Sequence, residues 1–140
     1  MSDRLLRASL LVVCACGIGV AAYLTYVHYQ PKALICTGSG GCETVQESSY
    51  AVFAGIPLAV IGLAAWITAA TLTVRNTDLA RLLTAALALV ALAFSAYLVI
   101  LQLFVIDAIC VWCMANDVVL VPLLTVLSVL RLRSRANANA

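Results

Sequence analysis

Four of the six cysteines in this 140-residue chain are spaced for thiol–disulfide exchange. Cys110 and Cys113 form Cys-Val-Trp-Cys where an apolar stretch begins, and Cys36 and Cys42 lie in the longest polar connection. A Cys-x-x-Cys at a helix N-terminus has a physical purpose. The positive end of the helix dipole and the free N–H groups favour thiolate at the first cysteine. The second lies one turn on, along the same face, and can close a disulfide with it. Asp107, three residues before Cys110, is expected to cap that helix, its charge partly opposing the thiolate. Cys14 and Cys16 point to opposite sides of their helix, so they cannot pair with each other and read as small apolar packing residues.

Two other uses of the four cysteines stay open on spacing alone: two structural disulfides, or a tetrahedral zinc site. A structural bridge suits Cys110 and Cys113 poorly, because linking near neighbours removes little unfolded-state entropy. Zinc pairs sit in soluble knuckles, which a Gly-rich loop beside an apolar helix does not suggest. Redox chemistry is therefore the reading preferred, with no metal expected.

The elements that must position these thiols are membrane helices. The chain is 65% hydrophobic and only 10% charged, against about a quarter charged in soluble domains. Four stretches reach the roughly 20 apolar residues that span a bilayer, over 5–29, 55–74, 82–106 and 110–130. A lipid-embedded backbone must satisfy its hydrogen bonds internally, and the alternation of barrel strands is absent. The expected fold is thus an all-α membrane protein, a four-helix bundle with one long extracytoplasmic loop over 30–54. Residues 1–140 form one domain in this reading, and the first span is long enough to stay in place uncleaved. Pro31 ends the first helix, Gly38, Gly40 and Gly41 loosen the loop, and Glu43–Tyr50 could form a short surface helix.

All seven arginines (Arg4, Arg7, Arg75, Arg81, Arg131, Arg133 and Arg135) fall at the termini or between the second and third spans. The positive-inside rule then puts both termini in the cytoplasm and the redox cysteines outside, where an oxidising compartment permits disulfides. Tyr23, Tyr26, Tyr29 and His28 form an aromatic rim on the first helix. Trp66 and Trp112 read as rim or packing residues. The net charge of +2 reflects topology and implies no nucleic-acid partner.

Cys36 and Cys42, Ser48, the run Phe53–Pro57 opening the second helix, and Cys110-Val-Trp-Cys113 opening the fourth together resemble the vitamin K epoxide reductase family. The segment Tyr23–Tyr29 is similar to its bacterial members, and the likeness extends over all four helices. It implies that Cys110 and Cys113 are the pair beside a quinone, with Cys113 acting on it. Cys42 is then the loop cysteine that exchanges with Cys110, and Cys36 the one that meets an outside partner. Ser48 matches a loop hydroxyl near the thiols or quinone, with Phe53 and Trp112 as supporting residues. Many bacterial relatives carry a fused thioredoxin-like domain. Its absence here implies a separate thioredoxin-like partner, and a setting in the bacterial plasma membrane. Where vertebrate members have a tyrosine, four residues after the second cysteine, this chain has Asp117. Their loop asparagine also has no polar match near Ala51 and Val52. Epoxide reduction is thereby put in doubt, quinone reduction not. Asp117 becomes a candidate to bond the quinone carbonyl or relay a proton.

The resemblance implies menaquinone or ubiquinone as acceptor, and redox potentials favour the same class. An oxidase that delivers disulfides can sit at about −120 mV, so reoxidising it needs an acceptor of higher potential. Two rival functions are disfavoured. A carrier of soft metal ions would place thiols on both sides or deep in the bundle, where only Cys14 and Cys16 lie. A small four-helix drug exporter would want an acid midway along the first helix, which has none between Leu5 and Tyr29.

Overall fold

A computed structural model describes the chain except Met1, Pro31, residues 33–40 and Ala140. Four helices in it are long and apolar enough to cross a membrane: Asp3–Tyr29, Leu58–Arg75, Asp78–Val105 and Val111–Asn139. The four-helix membrane bundle expected from the sequence is therefore the fold.

Helix α1 (Asp3–Tyr29) starts where the Ser2 hydroxyl accepts from the Leu5 N–H at 3.3 Å. A short helix α2 (Gly41–Glu47) follows the segment outside the described residues, and a single 3₁₀ turn spans Ser49–Ala51. The surface helix thus begins two residues before the expected Glu43, and the described part of the connection carries more structure than a loose loop. Strands β1 (Val52–Phe53) and β2 (Ile56–Pro57) then pair antiparallel, Val52 with Pro57 and Phe53 with Ile56. Their turn needs positive φ at both central residues, Ala54 (53°) and Gly55 (83°), which suits a tight two-residue hairpin. This hairpin delays α3 (Leu58–Arg75) past the expected start at Gly55.

The left-handed Asn76 closes α3, and the Thr77 hydroxyl, accepting from Ala80 N–H at 3.0 Å, opens α4 (Asp78–Ile100). That cap begins the third helix four residues before the expected Leu82. It continues through a π turn, Leu101–Val105. The last span comprises α5 (Val111–Met114), a second π turn over Ala115–Leu120, and α6 (Val121–Asn139). Pro122, lacking an N–H, removes one regular helical bond where that turn meets α6. The helix runs beyond the expected end at Leu130 because its basic tail stays helical.

In the bundle, α1 packs on α3 and α6, and α4 on α3 and α6. Leu10, Cys14, Trp66, Ala69, Ala88 and Leu124 belong to the central core. Gly17 permits the close approach of α1 and α3, because a Cβ there would overlap the Trp66 indole. Cys14 is fully buried and Cys16 exposed on the surface of the bundle. At the end away from Cys110, Arg81 and Arg131 both reach Asp3 (2.7 and 3.3 Å) and both bond the Asn76 side chain.

Candidate redox site and quinone cavity

Cys42 on α2 and Cys110 before α5 are both fully buried and belong to one apolar cluster with Leu24, Val27 and Val45. Cys113 and Trp112 pack against it. The approach of α2 to the last span depends on Gly41. A Cβ at that position would run into the backbone carbonyl of Ile109, which has no side chain to swing aside. Cys42 is disulfide-bonded, whereas Cys110 and Cys113 are free thiols. Cys36 lies outside the described residues.

Asp107 does not cap this helix. It occupies the left-handed region (φ 56°), and Cys110 itself is the cap, its Sγ accepting from the Cys113 N–H at 3.2 Å. The tight turn Ile106–Ala108, with Ala108 N–H bonding back to the Gln102 carbonyl at 3.1 Å, carries Asp107 away from the helix end. The consequence is electrostatic. A hydrogen bond from the Cys113 thiol, ahead of the backbone N–H groups of Cys113 and Trp112 and the Gln46 side chain, holds the Cys110 thiol below the ordinary thiol range despite its burial.

Cys113, unlike Cys110, lines a cavity of about 710 Å³, counting its open mouth, between α1, α3, α4 and the last span. Most of the wall is apolar: Leu24, Leu58, Leu98 and Ile106 among others. A few polar groups converge on it, namely Gln46, Ser48, Gln102, Asn116 and Asp117. A mostly apolar hollow with few directed polar groups is what a lipid-soluble ring needs. Gln46 Nε2 approaches Cys113 Sγ at 3.5 Å. The Ser48 hydroxyl donates to the Val45 carbonyl at 2.8 Å.

Asp117 is 6% exposed and faces the bundle interior. Its Oδ1 accepts from Ser95 Oγ (2.9 Å) and from Asn116 Nδ2 (3.1 Å), while Asn116 Oδ1 accepts from Trp66 Nε1 at 2.9 Å. Oδ2 has no partner among the described residues and is not sealed in the interior, and the residue lines the cavity. Trp66 is thus no rim residue: it is 4% exposed and orients Asn116 across the core. Trp112 stacks at a tilt on Tyr23, ring centroids 5.0 Å apart, beside the cysteines and outside the cavity lining. Phe53 is two-thirds exposed and lines a separate apolar hollow between α3 and α4, whose wall also includes Ser95, Asn116 and Asp117.

Three polar participants escaped the sequence reading: Gln46, Gln102 and the Trp66–Asn116 link. Gln102 had a signal, since an amide inside an apolar span is expensive unless it has a use. Gln46 and Trp66 had none, because their partners lie 67 and 50 residues away. Among the described residues, no three His, Cys, Asp or Glu side chains are grouped as a metal site requires.

A membrane bundle in which a half-buried cysteine borders an apolar cavity, backed by a buried cysteine and a disulfide-bonded one packed alongside, has the build of a thiol–disulfide oxidoreductase. The vitamin K epoxide reductase family model matches residues 8–128, and the chain belongs to that family. Membership makes it a multi-pass membrane oxidoreductase of the thiol–disulfide and quinone kind.

Proposed function

We propose that the protein reoxidises an extracytoplasmic thioredoxin-like protein and passes the electrons to a membrane quinone, sustaining disulfide formation outside the cell. The reading rests chiefly on one observation: Cys113 opens to the cavity while Cys110 is closed in between Cys113 and the cluster holding Cys42. That order matches an electron path from loop to helix to cavity.

In the first exchange the partner's dithiol attacks the Cys36–Cys42 disulfide, leaving the partner oxidised and two loop thiols. Cys42 then attacks Cys110 of the Cys110–Cys113 disulfide, and Cys36 resolves the mixed disulfide. The dithiol Cys110–Cys113 returns to a disulfide as two electrons and two protons reduce the quinone to quinol, so protons and electrons balance. The lowered Cys110 thiol is the good leaving group when Cys36 resolves the Cys42–Cys110 mixed disulfide. Asp117, in its protonated form, would offer Oδ2 to a quinone carbonyl or hand on a proton, held by Ser95 and Asn116. Ser48 would border the quinone ring, Phe53 the lipid side of the site, and Trp112 would hold α5 against α1. Residues 1–140 would act as one domain. The positive-inside distribution of arginines supports a plasma-membrane setting with both termini cytoplasmic and the thiols outside. The cavity sets no preference between menaquinone and ubiquinone, and either ring satisfies this chemistry.

The test is quinone reduction by purified protein driven by a reduced thioredoxin-like donor. Wild type should turn over and Cys113→Ala should fall by at least about a thousandfold, as removal of a chemically essential group does. Asp117→Asn should slow quinone reduction while thiol exchange stays near normal. Sustained turnover in Cys113→Ala would overturn the path.

A further inference from the structure

Gln102 sits where an apolar helix should hold no amide. The π turn Leu101–Val105 buries Leu101 and Gln102 and leaves Leu103, Phe104 and Val105 exposed. A π turn is a common device for aiming one side chain at a functional site. Gln102 is 3% exposed, and its Oε1 accepts from the Cys110 N–H at 2.9 Å. That bond settles which way the amide points, because a backbone N–H can only meet the oxygen.

The other half of the amide is therefore Nε2, with two N–H donors. It has no partner among the described residues, yet it is not among the sealed, unsatisfied atoms of the interior. Its residue lines the cavity that Cys113 and Asp117 share. An open donor on a buried side chain, facing an apolar hollow, points to an acceptor in the ligand, because donors left bare in such a place are costly.

We propose that Gln102 Nε2 donates a hydrogen bond to a carbonyl oxygen of the quinone, so that one side chain grips both the Cys110 backbone and the electron acceptor. The inference rests on the quinone reading above and adds a binding group to it. Because Oε1 holds the residue that begins α5, the quinone carbonyl is set in register with the thiol pair. The group has the two functions a specificity residue needs: it selects an acceptor with a carbonyl, and it places that acceptor against Cys113.

The experiment uses full-length protein in detergent, with ubiquinone carrying one isoprene unit as the acceptor and a small dithiol as donor. Gln102→Leu removes both bonds. Gln102→Glu keeps an oxygen for the Cys110 N–H and, assayed at alkaline pH where its carboxyl is ionised, has no donor in place of the amide. Both should raise KM for the quinone roughly five- to tenfold, the range for loss of one such bond. With carbonyl-labelled quinone, the infrared band of one bound carbonyl should lie below its free frequency in wild type and move back up in both variants. Integrity of the thiol site is read separately, as capture of the Cys42–Cys110 mixed disulfide in a Cys36→Ala background, which Gln102→Glu should leave unchanged. If wild type reduces the quinone while both variants keep its KM and its carbonyl band, the Gln102 assignment is wrong and the quinone reading stands. If wild type does not reduce the quinone, the broader reading fails and this inference falls with it.

Discussion

Where the chain termini meet, Asp3, Asn76, Arg81 and Arg131 bond one another across α1, the α3–α4 link, α4 and α6; at the other end, Gln102 and Asp117 line one cavity, each with one polar atom unpartnered among the described residues. The arginine end is built from regular helices and capped turns. Arg7 adds bonds to the carbonyls of Thr73 (3.2 Å) and Val74 (2.7 Å), closing the end of α3. Among the described residues, Arg81 Nε is the one buried side-chain nitrogen or oxygen left without a partner. The cysteine end is irregular by contrast, with two π turns, a left-handed Asp107 and a tight hairpin. One end spends its polar groups on holding helices together, while the other keeps them for something that arrives. Departure from regular helix marks the chemical end.

That contrast breaks most visibly at Asp3. Asp3→Asn leaves Arg81 and Arg131, both buried, without their shared carboxylate. Because Asp3 itself is 40% exposed, the loss should be about 1–3 kcal/mol, short of the full penalty for a sealed pair. Thermal unfolding in detergent should show a lower midpoint, with quinone reduction per folded molecule unchanged. A loss of specific activity at constant stability would erase the division between the two ends.

A smaller effect, confined to the cysteine end, is expected from Gly41→Ala. Alanine favours a helix, so the change should strengthen α2 in isolation. In the protein its methyl group must push α2 off the Ile109 backbone and carry Cys42 away from Cys110. Formation of the Cys42–Cys110 mixed disulfide in a Cys36→Ala background should slow by roughly tenfold, as a misplacement of about an ångström does. Gly19→Ala, where a Cβ meets nothing within 4 Å, is the matched control and should leave that rate alone.

The finest distinction is one of protonation. Cys110 is held low first by the Cys113 thiol. Cys113→Ala removes that bond, so Cys110 should titrate at higher pH, and the pH at which its thiolate absorbance appears should rise. An unmoved titration would mean that the backbone N–H groups alone hold the thiolate.

The four spans were legible in the sequence because burial in lipid is a local requirement: about 20 apolar residues and few charges suffice to place a helix. Cys110 and Cys113 were legible for the same reason, their relation being fixed by one turn of one helix. The helix limits were read less well. Thr77 and the Ala54–Gly55 turn shift two starts, and capping and hairpin geometry involve only a few residues against a strong apolar background. Asp107 looked like a cap because of its type and spacing; the turn back to the Gln102 carbonyl, which closes the preceding π turn, carried it off the helix end and gave that role to Cys110.

What only the tertiary structure decided is which polar groups share a cavity. Trp66 reaches Asn116 across 50 residues, Gln46 reaches Cys113 across 67, and Ser95 reaches Asp117 across 22. Sequence periodicity says which side of a helix is apolar, and in lipid that signal weakens, since the outside is apolar too. The inward faces of these helices are therefore defined by their partners. Apolar run lengths and cysteine spacing determined that this chain is a set of membrane spans bearing a thiol pair; the packing of α1, α3, α4 and the last span determined that Cys113, Asp117 and Gln102 line the same hollow.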